Sequence, residues 1–184
     1  MRFHLTWAVV LVFALTALPV RVADWLLTAV PQTTGKDGQV LSLSSPFRVI
    51  LTNATNHNLT VWKEWCSWGY FNLSFEFASK DGKIVKVAKD PNQTWTKNGP
   101  AGFVVLPGCT YTVTVRFLGK KEWTGVEGLH GVMSMKAIYK NTNEAFPGAK
   151  PNQQIKYPDV LQKRIDSAWV GQVESEPIQV TIVR

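Results

Sequence analysis

Aromatic side chains carry the clearest chemistry in this chain. Trp62, Trp65 and Trp68 recur at every third position of the stretch WKEWCSWGYFNLSFEF, and Tyr70 follows two residues later. Trp95 and Trp123 stand in later segments that read as loops. An indole or phenol ring offers a flat apolar face and one polar handle, so a cluster of them can stack on sugar rings or anchor a protein partner. Trp62, Trp65, Trp68, Tyr70, Trp95 and Trp123 are therefore the candidate binding residues. The competing role is packing, because large aromatics also fill a β-sandwich core or close its ends. Solvent exposure separates the two: clustered exposure for recognition, burial for core.

Other reactive groups are scarce. His4, His57 and His130 are the only histidines, and no HExxH, GxSxG or phosphate-loop pattern occurs. Cys66 and His130 have the composition of a nucleophile and base, but a buried or bonded Cys66 and a loop His130 account for both. Glu64 and Glu76 form a carboxylate pair on paper and equally suit a solvated face. We expect no enzyme, no cofactor and, with two cysteines, no metal framework. Asn53, Asn58, Asn72 and Asn92 each head an Asn-x-Ser/Thr sequon, which in a eukaryotic secretory pathway would place glycans on the surface and in a bacterium would be a chance product of Ser/Thr-rich strands. Asn72 falls on the outward side of a core strand in this reading.

The N-terminus points to export. Residues 1–4 are short and basic, residues 5–20 are almost wholly apolar, and Pro19, Arg21 and Ala23 follow. That order matches a secretory signal peptide over residues 1–23, with an apolar run shorter than the roughly 20 residues needed to span a bilayer. The alternative is a retained anchor, since residues 25–30 are apolar again. Secretion, or residence in the periplasm or cell envelope, is the expectation, with membrane contact only if the leader is kept. In an oxidising compartment Cys66 and Cys109 are expected to form a disulfide, which would stabilise the fold by about 4 kcal/mol. The other possibility is two separate thiols that pack as small hydrophobes. The formal net charge of +7 includes two arginines of the leader. The mild excess that remains suits a solvated basic face, and no nucleic-acid motif accompanies it. The expected partner is a protein or a polysaccharide of unknown identity.

Strand signals recur along the rest. Phe71, Leu73, Phe75 and Phe77 alternate with Asn72, Ser74 and Glu76, the period of a strand with one buried face. Spacing by three cannot continue that face, so the tryptophan run reads as a crossing segment that sends its rings to alternating sides. Residues 24–37, with Pro31 and Gly35, read as a linker before a domain spanning 38–184. Strands are predicted over 40–43, 47–52, 71–77, 84–87, 103–106, 111–117, 132–139 and 178–183, with 59–62 a short strand or an extension. Asp81-Gly82 makes a tight hairpin turn, and the outward Lys83, Lys86 and Lys89 suit a solvent-facing edge. Leu161, Ile165, Ala168 and Trp169 make one apolar stripe on a short helix near 159–167. The fold class predicted is all-β: an antiparallel sandwich of seven to eight strands, with that helix and an N-terminal signal helix.

Four pieces carry a resemblance. Val49-Ile50-Leu51-Thr52-Asn53, Asp81-Gly82-Lys83, Leu106-Pro107-Gly108 with Tyr111-Thr112-Val113-Thr114-Val115, and Trp169-Val170-Gly171 with Ser175-Glu176-Pro177-Ile178 resemble immunoglobulin-like and fibronectin-type sandwiches. Together they also resemble uncharacterised bacterial secreted proteins of this fold, and more distantly sandwich-type bacterial proteinase inhibitors. The resemblance spans roughly residues 38–183 and implies fold, not activity. It leaves two functions: a binding or structural module using the tryptophan-rich end, or a protease inhibitor using an exposed loop at 90–102 or 118–130.

Overall fold

The computed structural model describes residues 23–35, 38–95, 99–118, 122–142 and 158–184. The expected signal segment, except Ala23, lies outside the described residues. Among those described, no helix is long and apolar enough to cross a membrane.

The chain is mostly β. In order it forms β1 (Trp25–Val30), β2 (Thr33–Gly35), β3 (Gly38–Ser42), β4 (Phe47–Asn53), β5 (Leu59–Trp62), α1 (Ser67–Tyr70), β6 (Leu73–Ser79), β7 (Ile84–Lys89), β8 (Gly102–Val105), β9 (Thr110–Val115), β10 (Trp123–Thr124), β11 (Gly131–Asn141), α2 (Asp159–Ser167), β12 (Gly171–Glu174) and β13 (Ile178–Val183). A 3-10 turn covers Val126–Gly128. That is more strand segments than the seven to eight expected, because several are only two to four residues long and carry too little alternation to stand out in a sequence.

Three sheets result. One runs β1-β4-β9, a second β10-β7-β6-β11-β13-β3-β2 with β12 beside β11, and β5 pairs β8 alone. All the pairings are antiparallel except β3 with β13, which run parallel. Strand β11 is the spine of the large sheet. One edge pairs β6, while the other is shared between β13 at its start and β12 at its end. The inward side chains of the first two sheets meet in one core, including Trp25, Leu41, Val49, Leu51, Phe75, Phe77, Val113 and Met135. Phe75 and Phe77 are buried as their alternation predicts, and burying such side chains contributes roughly 1.5–3 kcal/mol each.

Two expectations are corrected here. The segment read as linker holds β1, paired with β4 from Trp25↔Asn53 to Val30↔Arg48. Its Trp25, Leu27 and Ala29 point into the core while Leu26, Thr28 and Val30 face out, so the apolar run is a strand with one buried face. Two of the four sequons are also structural. The Asn53 side chain donates to the carbonyls of His57 (2.8 Å) and Val105 (2.9 Å), and buried Asn72 donates to the Tyr139 hydroxyl at 3.3 Å. Neither amide is available to a glycan, and Asn72 faces inward rather than outward.

Candidate functional site

The tryptophan run turns sharply between β5 and α1. Lys63 N–H donates to the Ala101 carbonyl (2.8 Å), and Cys66 N–H returns to the Lys63 carbonyl at 3.2 Å. Gly69 makes this closure possible, because a Cβ there would lie 2.3 Å from the Lys63 oxygen. The spacing of three then does what it dictates. Trp62 and Trp68 turn inward and pack with Cys66, Ile165 and Ala168, fastening α2 to the turn, while Trp65 stands 65% exposed.

This divides the six candidate residues. Trp62 and Trp68 are core and lie outside the groove that the other four share. Trp65, Tyr70, Trp95 and Trp123 come together along one groove of about 680 Å³, with Glu64, Lys89, Arg116 and Glu122. Each arrives from a different place: Trp65 and Glu64 from the turn, Tyr70 from the end of α1, and Trp95 from the segment after β7. Trp123 comes from β10, where it pairs Lys89 at the end of β7, and Glu122 from the residue just before that strand. Gly125 lets β10 approach that closely, with φ 84° and no room for a Cβ against the Lys86 carbonyl. Thr114 and Arg116 enter from the outward side of β9 and just beyond it. The described parts of both loops proposed for inhibition thus serve this groove.

Lys89 organises the floor. Its ammonium lies 4.9 Å from the Tyr70 ring centroid and 4.3 Å from that of Trp123, and pairs with Glu122 at 3.1 Å. Only 10% of its side chain is exposed, so it is no solvent-facing edge residue, and β10 covers that end of β7. Trp123 packs its other side on Phe75 and Phe117. Tyr70 meets Trp95 edge-on at 5.3 Å. Trp65 keeps an open face, with the Lys63 ammonium 5.5 Å from its ring.

Electrostatics follow from this crowding. Burial raises the Glu64 pKa above its ordinary value, Lys89 opposes the rise and Glu122 adds to it. The Tyr70 pKa is raised by burial first and by Glu122 and Asp90 next. Tyr111, whose hydroxyl accepts from the Glu64 backbone N–H, is raised further, chiefly by burial. Two donors at the site, the Tyr70 hydroxyl and Trp95 Nε1, are buried without a partner among the described residues. A buried donor left unpaired costs about 1–3 kcal/mol.

The remaining candidates separate. Cys66 and Cys109 are free thiols, the first buried and the second exposed in the β8–β9 turn, so the expected disulfide is absent. The Cys66 Sγ instead contacts the carbonyls of Lys63 (3.1 Å) and Ala101 (3.5 Å), and exposed His130 stands before β11. Glu76 pairs with Lys86 and Lys136 on the outer face of the large sheet and is not a partner of Glu64. Among the described residues no group of His, Cys, Asp and Glu is placed to hold a metal. Sequence reasoning missed Lys89, Glu122 and Arg116, since nothing local marks a lysine that folding will place between two rings. The groove can stack flat rings and exchange hydrogen bonds at its floor. No protein-family model matches the chain, and no curated protein or solved structure matches it either.

Proposed function

We propose that this chain is a non-enzymatic recognition module, exported or held at the cell envelope, that binds a glycan in the groove beside Trp65. The observation that carries this is one open indole face set among half-buried rings and hydrogen-bonding groups in a single groove. Sugar rings present apolar C–H faces to aromatics and hydroxyls to polar side chains, and this groove supplies both kinds of partner. Its volume is that of an ordinary small-ligand site. Within this proposal the fold is an immunoglobulin-like sandwich, supported by two sheets that share one core and by the sequence pieces quoted above. Export rests on the apolar leader pattern alone.

The test is retention of the purified protein on insoluble polysaccharides and cell-wall preparations, beside Trp65→Ala. Wild type should be retained, and the variant should lose retention while melting at the same temperature, because Trp65 supports no core. Retention that survives the substitution, or no retention of wild type on any glycan, would remove the proposal.

A further inference from the structure

Beneath the groove lies a second and much smaller cavity of about 10 Å³, close to the room a single water needs. It shares Glu64, Tyr70, Lys89 and Trp123 with the groove above, so the two are neighbouring compartments. Tyr70 is 6% exposed, and its hydroxyl is buried with no acceptor among the described residues. Lys89 is committed to Glu122 and two ring faces. The Glu64 carboxylate makes no hydrogen bond to a described residue, and Glu64 lines both compartments while remaining exposed to solvent.

Tyr70 and Glu64 thus line one cavity, the first a buried donor without a partner among the described residues and the second a solvent-reached carboxylate that can accept. A carboxylate or phosphate would satisfy Tyr70 but meet the Glu64 charge. An ammonium would satisfy Glu64 but has no lone pair for Tyr70. A hydroxyl does both at once, donating to Glu64 and accepting from Tyr70. We infer that this cavity is a subsite for one hydroxyl of a neutral sugar held in the groove, and that Tyr70 and Glu64 select among sugars by where that hydroxyl points. The inference rests on the glycan reading of the groove. A charged sugar is disfavoured because Lys89 is already neutralised and Glu64 stands at the opening.

The experiment is calorimetric titration of the purified protein with neutral glucose-, mannose- and galactose-based oligosaccharides, which differ in hydroxyl configuration, and with a uronic-acid oligosaccharide. Wild type should prefer one neutral epimer by at least about tenfold, the scale of one hydrogen bond gained against one buried group left unpaired. Tyr70→Phe should erase that preference while melting no lower than wild type without sugar, since it removes a hydroxyl that has no partner. Equal affinity for all three epimers, a preference that survives Tyr70→Phe, or a preference for the uronic acid would each overturn the inference while leaving glycan binding intact. A Tyr70→Phe variant that melts lower without sugar and binds all sugars as wild type does would identify a permanent water as the occupant, and overturns it too. Failure of wild type to bind any of these sugars removes the glycan reading itself, and this inference with it.

Discussion

Two concavities of similar size face solvent in this molecule, and they are built differently. The groove encloses about 680 Å³, and the hollow on the outer face of β6, β7, β11 and β12 about 570 Å³. Each has a lysine between carboxylates. On the outer face Lys136 pairs with Glu174 at 2.6 Å and Glu76 at 3.4 Å, and Lys86 reaches Glu76 at 3.5 Å. Those side chains remain well hydrated, and water and salt screen such pairs until they contribute little. Lys89 has a comparable carboxylate partner but also two ring faces and far less water. Volume does not distinguish a site from a dimple here; desolvation and unsatisfied donors do.

Substitutions can break or sharpen that contrast. The largest effect is expected within the tryptophan run. Trp62→Ala should cost about 3–5 kcal/mol by leaving a cavity under α2, read as a much lower denaturant midpoint. Lys89→Ala should cost about 2 kcal/mol, because it removes a largely desolvated cation from two rings and from its ion pair with Glu122. Chemical denaturation at low and high salt would check this, and a loss that disappears in salt would make Lys89 an ordinary surface lysine.

The pH responses of Glu64 and Glu174 should have opposite signs. Folding raises the Glu64 pKa, so its stabilising contribution is full below the unfolded value and is lost as pH rises through the folded one. Glu64→Gln should therefore gain on wild type as pH rises above the ordinary carboxylate range. The Lys136 and Gln172 hydrogen bonds lower the Glu174 pKa, so its contribution is present above the unfolded value and lost as pH falls through the folded one. Glu174→Gln should lose to wild type at neutral pH and match it in strong acid. Melting curves that shift in the same direction for both variants would erase the distinction. The smallest effect belongs to Lys136→Gln, expected within about 1 kcal/mol of wild type by thermal melt at physiological salt.

How much of this was legible depended on whether the information was local. Period two was enough for β4, β5, β6, β11 and β13, and a four-residue stripe located α2. Spacing by three implied that Trp65 would part from Trp62 and Trp68. It could not say which side was solvent, because that depends on where α2 docks. Pro31 and Gly35 made the residues around β1 look like a linker, although Trp25, Leu27 and Ala29 already carried a strand's alternation. The two cysteines suggested a bond because of the expected compartment, whereas their positions follow from Gly69 and the Lys63 turn. Lys89 was beyond reach: its role comes from β10, a two-residue strand whose pairing is entirely long-range.

The parallel pairing of β3 with β13 has a consequence for the order of events during synthesis. It joins Gln39 to Val180 and Val183 to Ser42, so the large sheet closes only when the last described strand has left the ribosome. Closing so long a loop is slow and entropically costly, and contacts of that range form late. Until then the β2–β3 pair has no neighbour across which to join the large sheet, and the outer edge of β3 stays unpaired.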